Sequence, residues 1–176
     1  MGNADFSIGK LVREDAQVLS TLMLQNEERF RAYFPITLSR NTTKSDSESF
    51  ITSITEDEAN KVQFLYAVRK NKSLIGLVYL KELDWEKKEG EFAYCIDKEY
   101  TGKGYTSRAI QLLTEKAFKS LGLETLNIIA HKGNTPSIKV ALNNGFEWKK
   151  TLTKEYTPPY GTPLDMELYQ LHREKK

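Results

Sequence analysis

The sequence predicts a mixed α/β protein, because apolar segments of two different spacings alternate along the chain. Residues 105–121 place Ala109, Leu113 and Ala117 on one helical stripe. Short runs rich in apolar and β-branched residues, at 91–96 and 126–130, lie on either side of this segment. A strand, a helix and a second strand in succession form a crossover unit, so part of the sheet is expected to be parallel.

The same spacings predict the other elements in the order βααβββαβαββ, with about seven strands and about four helices. One helix is expected from Ala16 to a point before Pro35, and a second over 45–61, where Ser45 and Ser47 are capping candidates. A short helix is expected at 135–144, closed by Gly145. The remaining strands are expected at 6–12, 63–68, 74–80, 146–154 and 164–171.

Length and composition indicate one domain that spans residues 1–176. A chain of 176 residues with 39% hydrophobic and 28% charged residues has the balance of an ordinary folded protein. The net charge is only +2, from 26 basic and 24 acidic residues that are spread along the chain. We therefore expect no bulk attraction to nucleic acid.

The chain shows no pattern typical of a membrane protein or a metalloprotein. It has no run of about 18 apolar residues and no apolar stretch within residues 1–10, so we expect a cytoplasmic protein that is not bound to a membrane. Cys95 is the one cysteine, and no paired Cys or His spacing frames a metal site. We expect no metal, and a homodimer is a reasonable default assembly for a cytoplasmic protein.

Residues 97–106 join a predicted strand directly to the most regular helix. Gly102 and Gly104 permit positive φ angles and a close approach of a ligand to the backbone, and Lys103 adds a cation. Helix N-termini bind anions, so the segment is a candidate diphosphate site. The alternative is a plain strand-to-helix turn in which the glycines serve geometry alone.

Two common phosphate motifs do not fit this turn. A P-loop needs a glycine where Asp97 stands and Ser or Thr where Gly104 stands. A dinucleotide fingerprint needs a third small residue, which Ser107 fills poorly, although Glu124 lies about 20 residues further on. A dinucleotide-binding protein, which would bind NAD, is an alternative.

The turn resembles the diphosphate-binding turn of the GNAT superfamily of acetyltransferases, whose pattern is Gln/Arg-x-x-Gly-x-Gly/Ala. Gly104 takes the first glycine position, Thr101 the Gln/Arg position and Thr106 the Gly/Ala position. A second block, from Asn134 to Phe146, is similar to the Asn-x-x-Ser…Gly-Phe block of RimJ/RimL-like ribosomal-protein acetyltransferases. The resemblance extends from Gly76 and residues 91–94 to Asp165 and Tyr169 in the last strand.

The resemblance implies a GNAT-like sheet with a splay between the fourth and fifth strands, where the pantetheine arm of acetyl-CoA pairs with exposed backbone. A backbone N–H near the end of the fourth strand would stabilise the oxyanion of the reaction. The cofactor-binding residues implied are Tyr94, Cys95, Ile96, Thr101, Gly102, Lys103, Gly104, Tyr105, Thr106, Asn134 and Ser137. A purely structural role is the alternative for two of these residues. Asn134 would then be only a helix N-cap, and Cys95 only a small core residue.

The resemblance also implies catalytic residues. Ser137 is the expected general acid, because Ala141 stands where many GNAT enzymes have a tyrosine. Two carboxylates compete as the base that deprotonates the amine. Glu155 lies near the position of a catalytic glutamate in RimL-like enzymes, with a spacing from Phe146 that is one residue short, and Glu91 begins the fourth strand. A structural or surface role is the alternative for each.

The expected reaction is the transfer of an acetyl group from acetyl-CoA to a primary amine, most simply the N-terminal α-amine of a ribosomal-type protein. A polyamine, an antibiotic or another small amine is an alternative acceptor. A further alternative is a regulatory module that binds acyl-CoA without catalysis.

Overall fold

A computed structural model describes residues 5–174 of the chain. Within that range lie seven strands: β1 (Phe6–Lys10), β2 (Phe64–Lys70), β3 (Ser73–Asp84), β4 (Glu89–Ile96), β5 (Thr125–His131), β6 (Glu147–Tyr156) and β7 (Leu164–His172). The same range holds six α-helices: α1 (Ala16–Gln25), α2 (Glu27–Phe30), α3 (Pro35–Ser39), α4 (Lys44–Ala59), α5 (Tyr105–Lys119) and α6 (Thr135–Asn143). Short 3₁₀ turns lie at Arg13–Asp15 and Lys98–Tyr100.

The strands form one mixed sheet in the order β1-β2-β3-β4-β5-β7-β6. β4 and β5 are parallel, whereas β7 is antiparallel to both β5 and β6. The predicted mixed α/β class and the seven-stranded sheet are confirmed. The parallel pair follows from the crossover through α5, since parallel neighbours need a long connection.

The parallel ladder covers only the first part of its two strands. Its register runs from Glu89 opposite Thr125 to Phe92 opposite Ile128, and both strands continue beyond these residues. This limited pairing is consistent with the predicted splay.

The chain forms two compact units. The first extends to Tyr79 and includes Tyr94–Lys103, and the second comprises Leu80–Ala93 and the residues from Gly104 onward. The chain passes from one unit to the other within β3, within β4 and within the glycine turn. One domain over residues 1–176 stays a prediction.

The core of the first unit includes α1, α4 and the β2 strand that α4 contacts. α1 packs against α4, and the buried residues of the two helices recur at helical spacing. They include Leu19 and Met23 in α1 and Phe50 and Ile54 in α4. β2 is buried along most of its length, as a continuously apolar strand should be.

The second unit contains the helix that the sequence predicts best. Ala109, Leu113 and Ala117 of α5 are buried on one stripe, and Gly122, at φ +74°, follows the last turn of the helix. Gly145, at φ +79°, lies directly after α6 and Asn144, and here too the prediction is confirmed.

The single helix predicted before Pro35 is wrong. α1 ends at Gln25, α2 is a separate helix of 4 residues, and Pro35 is the first residue of α3. The break lies at Asn26, whose side-chain amide is bonded to the carbonyl of Leu22 and to the backbone N–H of Lys98. Proline fits the first helical position because the N–H it lacks has no helical partner there.

The N-cap of α4 also differs from the prediction. Thr43, rather than Ser45 or Ser47, caps the helix: its hydroxyl accepts from Asp46 N–H, while the Asp46 carboxylate accepts from Thr43 N–H. This reciprocal pair is a capping box built with aspartate in place of glutamate.

In the part of the chain that the structure describes, no helix is both long enough and apolar enough to cross a membrane. Across residues 5–174, no group of three or more His, Cys, Asp or Glu side chains is arranged to hold a metal ion.

Candidate active site

The turn between β4 and α5 exposes two glycines. Gly102 and Gly104 adopt φ angles of +73° and +81°, a region that glycine enters without a steric penalty. A Cβ built on either residue would meet no atom within 4 Å, so open space lies in front of the turn. The exposed Lys103 stands between them, and its Nζ lies 5.6 Å from the ring centroid of Tyr100.

Helix α5 begins directly after this turn, with Gly104 as its N-cap. Glycine has no side chain that could accept from the N–H groups of the first helical turn. A helix of 15 residues also carries a partial positive charge at this end. Open space, N–H donors and the Lys103 ammonium together fit a diphosphate group.

Three further predicted cofactor-binding residues lie in or beside the turn. Thr101 precedes it, and its hydroxyl accepts a hydrogen bond from Arg29 Nη2 at 3.3 Å. Tyr105 and Thr106 are the first two residues of α5, and both are half-buried. The six residues from Thr101 to Thr106 therefore form one continuous segment that leads into α5.

Asn134 caps helix α6, as its simpler interpretation required. Its Oδ1 accepts from the backbone N–H of Ser137 at 3.3 Å, and both residues are half-buried. At the other end of α6, Asn144 Nδ2 donates to Ser107 Oγ at 3.0 Å. This bond ties α6 to the first turn of α5. It therefore fixes α6, which carries Ser137, relative to the start of α5.

The last residues of β4 lie close to a glycine of β3. Cys95 is buried, whereas Tyr94 and Ile96 are half-buried. A Cβ built on Gly76 would lie 2.6 Å from the carbonyl oxygen of Cys95 and 3.2 Å from Ile96 Cα. Burial raises the pKa of the Cys95 thiol to about 12, so this cysteine is a core residue and would contribute backbone groups to the site.

Replacing Gly76 with alanine is expected to destabilise the protein by about 1–3 kcal/mol, because the backbone of β4 must move to admit the methyl group. Urea unfolding gives the change in free energy. Gly9→Ala is the matched control, since a Cβ at Gly9 would lie 3.8 Å from its nearest neighbour, Arg69 Nη1. An equal loss of stability in the two variants would contradict this account.

Glu91 lies in a largely buried ion pair. Its Oε1 is 3.1 Å from Lys81 Nζ, and its side chain is 15% exposed. Burial raises the pKa of Glu91, Lys81 opposes that shift, and the carboxylates of Glu82 and Glu155 add to it. Glu91 and Glu155, the two candidate bases, therefore interact electrostatically.

Glu155 is exposed and lies in an irregular part of β6. The register places Leu152 opposite Met166 and Tyr156 opposite Leu164, so three residues of β6 oppose Asp165 alone. Lys154, in the middle of the three, has a φ angle of +52°, and its N–H donates to Asp165 Oδ1 at 2.8 Å. Such bulges re-aim side chains, so the direction of Glu155 does not follow from simple alternation along β6.

Sequence reasoning missed the partners that hold these residues. Lys81, Asp165, Asn144 and Arg29 form bonds that depend on strand register or on contacts far along the chain.

The fold and the turn define an α/β protein with a candidate anion site where a long helix follows the fourth strand. The chain belongs to the GNAT acetyltransferase family, because the model of the acetyltransferase (GNAT) domain matches residues 7–147. It is 28% identical over 167 residues to an uncharacterized N-acetyltransferase, p20, of Bacillus licheniformis, which covers 94% of this chain and 91% of that protein. It is also 28% identical to the putative ribosomal N-acetyltransferase YdaF of Bacillus subtilis, over 82% of this chain and 79% of YdaF.

Solved structures show the same fold. The ribosomal-protein-S5-alanine acetyltransferase from Vibrio fischeri has a TM-score of 0.89 at 19% identity, with 99% of this chain and 96% of that chain covered. The microcin C7 self-immunity acetyltransferase MccE, solved in complex with acetyl-CoA and AMP, has a TM-score of 0.87 at 23% identity and covers 97% and 94% of the two chains. The GNAT-like fold and the family resemblance expected from the sequence are confirmed.

Proposed function

We propose that this chain transfers the acetyl group of acetyl-CoA to a primary amine, with a protein N-terminal α-amine as the first acceptor class. The observation that carries the proposal is the open Gly102–Lys103–Gly104 turn at the N-terminus of α5, in a chain of an acetyltransferase family. When bound, acetyl-CoA supplies an activated acetyl thioester. Its diphosphate fits the N–H groups and the cation of the turn.

The other cofactor contacts follow from the same assignment. Residues 101–106 would hold the diphosphate, and the backbone of Tyr94, Cys95 and Ile96 would meet the acyl end. Asn134 and Ser137 would meet the pantetheine arm. That MccE, a protein of similar fold, was solved with acetyl-CoA supports the choice of donor.

Ser137 is the proposed general acid. Its hydroxyl would donate a proton to the sulfur atom that leaves with CoA and would take a proton from water in the same step, so that a neutral thiol departs and the serine is regenerated. The bond from Asn144 to Ser107 supports this role, because it anchors α6 to the helix that follows the diphosphate turn.

Glu91 and Glu155 are proposed to act on the amine. An α-amino group has a pKa of about 8, so a fraction of the acceptor must lose a proton before it can attack. The raised pKa of Glu91 makes it the better proton acceptor, and the exposed carboxylate of Glu155 suits it to attract the incoming ammonium. This division of roles gives each carboxylate a task that the other does not perform.

The names of similar proteins support a protein acceptor. YdaF is a putative ribosomal N-acetyltransferase, and the protein from Vibrio fischeri is named for alanine acetylation of ribosomal protein S5. Both align with most of this chain.

A polyamine is the second candidate acceptor. The spermidine N(1)-acetyltransferase of Escherichia coli is 35% identical over 81 residues, which is 46% of this chain and 44% of that protein. Glu82, Glu91 and Glu155 interact electrostatically and outnumber the one lysine, Lys81, that pairs with Glu91. A cluster of negative charge attracts a polycation more strongly than a peptide with a single amine.

The acceptor class is tested by acetylation of three compounds at equal concentration, with mass spectrometry of the products. The compounds are a peptide with a free α-amine and an internal lysine, the same peptide blocked at its N-terminus, and spermidine. We expect acetylation of the free peptide at its α-amine and none of the blocked peptide. Faster acetylation of spermidine would replace the protein acceptor with a polyamine, and no product from any compound would overturn the proposed activity.

Replacing Ser137 with alanine is expected to lower kcat about tenfold to a hundredfold at neutral pH. The loss is modest because a thiol with a pKa of about 8.5 leaves as a thiolate without much assistance. Because a serine hydroxyl stays protonated across the working pH range, the defect should be nearly the same at every pH tested. Thr135→Ala, an exposed change on the same helix, should leave kcat unaltered, and a Ser137→Ala variant with the kcat of the wild type would contradict the acid role.

A further inference from the structure

The segment between β4 and the glycine turn is held by two side chains at the junction of α1 and α2. Asn26 and Arg29 bond to Ile96, Lys98 and Thr101, which lie about 70 residues further along the chain. Ile96 precedes the 3₁₀ turn at Lys98–Tyr100, Lys98 is its first residue and Thr101 directly follows it. We call this arrangement the Asn26–Arg29 bracket.

Asn26 forms the buried half of the bracket. It is 2% exposed, and its Oδ1 accepts from the backbone N–H of Lys98 at 3.0 Å and from Arg29 Nη1 at 3.2 Å. Its Nδ2 donates to the carbonyl of Leu22 at 3.0 Å, within the last turns of α1. Because its oxygen and its nitrogen both have partners, the amide has one favoured orientation.

Arg29 forms the exposed half. Its Nη1 donates to the Ile96 carbonyl at 3.1 Å, and its Nη2 donates to Thr101 Oγ1 at 3.3 Å. One planar guanidinium thereby joins the last residue of β4 to the residue that directly precedes Gly102. A lysine ammonium is a compact point charge and does not reproduce this forked geometry.

The bracket has no role in the mechanism described so far, yet it fixes the chain on the approach to the diphosphate turn. The N–H groups of that turn bind an anion well only if the backbone is already in place, since ordering a loop on binding costs affinity. The guanidinium also places a second positive charge, beside that of Lys103, next to the turn. Both effects favour the diphosphate, and the bond to the Ile96 carbonyl is the bracket's contact with the residues assigned to the acyl end.

We propose that Asn26 and Arg29 are positioning residues for acetyl-CoA, which hold the segment from Ile96 to Thr101 so that the glycine turn is preformed for the diphosphate. This inference rests on the proposed function, because it presumes that the turn binds the diphosphate of acetyl-CoA. It adds two residues of the first unit, outside the turn itself, to those that determine donor affinity.

The test compares two acetyl donors that differ in the group the turn would bind. Acetyl-CoA carries the diphosphate, whereas S-acetylpantetheine lacks it. Arg29→Met should raise KM for acetyl-CoA about tenfold to a hundredfold, the range for loss of a hydrogen bond to a charged group, with kcat unchanged. The same variant should leave kcat/KM for S-acetylpantetheine within about twofold of the wild type.

Two further variants distinguish the geometry of the Arg29 hydrogen bonds from its charge and from a general loss of surface charge. Arg29→Lys keeps the charge without the fork, so it should recover only part of the affinity for acetyl-CoA. Arg31→Met removes a neighbouring exposed cation, which pairs with Glu27, and should change neither donor. Thermal unfolding of each variant checks that the fold is retained. Arg29 is the primary test because Asn26 is buried and its replacement could unfold the protein.

Three outcomes would overturn the inference: an unchanged KM for acetyl-CoA in Arg29→Met, an equal loss with both donors, or full recovery in Arg29→Lys. These are distinct from failure of the proposed function. If the proposed function is wrong, the wild type itself would neither bind acetyl-CoA nor use either donor, and both proposals would fail.

Discussion

Glu91→Gln is expected to lower kcat/KM for the amine about 10²- to 10⁴-fold, the usual loss when a general base is removed. The amide has the shape of the carboxylic acid but cannot accept the proton of the attacking amine. Glu155→Gln should act chiefly on KM for the amine, because it removes the charge that attracts the ammonium. Steady-state kinetics at several pH values measures both effects.

The pH dependence of kcat/KM in a Lys81 variant shows whether Glu91 is the base. The acidic limb of kcat/KM reports the base of the free enzyme, and the pKa of Glu91 lies above that of an exposed glutamate. The Lys81 ammonium lowers this pKa, so Lys81→Met should raise it further and move the acidic limb to higher pH. Activity should then be lost as the pH falls at values where the wild type is still active.

Lys87→Met is the matched control for the change in charge. Lys87 belongs to the β3–β4 connection and pairs with Asp84, not with Glu91. Its replacement should leave the acidic limb in place. If Glu155→Gln abolished the acidic limb and Glu91→Gln only weakened binding, the roles of the two carboxylates would be the reverse of those proposed.

Gly104→Trp is expected to weaken acetyl-CoA binding about 10²- to 10⁴-fold. The indole would fill the open space in front of the turn and deny the diphosphate about two charge-assisted hydrogen bonds, each of about 1.5–3 kcal/mol. Titration calorimetry measures the change in dissociation constant.

Strain at a positive φ angle affects this variant as well, so a second tryptophan variant is needed. Gly122, near the other end of α5, has a φ angle of +74° and equally open surroundings. Gly122→Trp should therefore reduce stability to a similar extent while it leaves acetyl-CoA binding intact. Similar losses of binding in both variants would show that strain, rather than a blocked anion site, causes the effect.

Much of the fold was predictable because it follows from local patterns. The stripe of Ala109, Leu113 and Ala117 and the glycines at the helix ends define α5 without help from the rest of the chain. The diphosphate turn was predictable for the same reason, since Gly102 and Gly104 directly precede that helix.

The features that could not be predicted depend on distant partners. The helical spacing of residues 16–34 gives no sign of the break at Asn26, because that break is stabilised by a bond to Lys98 from the far end of β4. The bulge at Lys154 depends on the carboxylate of Asp165, which lies on the neighbouring strand. Strand register, which spacing alone does not define, decides such contacts.

The coupling of Glu91 with Glu155 has the same origin. Sequence reasoning treated the two carboxylates as rivals because they are 64 positions apart in the numbering of the chain. In the folded protein the carboxylate of Glu155 adds to the raised pKa of Glu91, an interaction that spacing along the sequence does not reveal. The proposed division of labour between them therefore comes from the structure.

The most direct test of the proposed activity is release of free CoA thiol from acetyl-CoA in the presence of a peptide with a free α-amine. The wild type should release one thiol for each peptide acetylated. The double variant Glu91→Gln/Glu155→Gln should bind acetyl-CoA with an unchanged dissociation constant and release none above background. Tight binding of acetyl-CoA by the wild type without thiol release in the presence of either the peptide or spermidine would contradict the account and identify the chain as a module that binds acyl-CoA without catalysis.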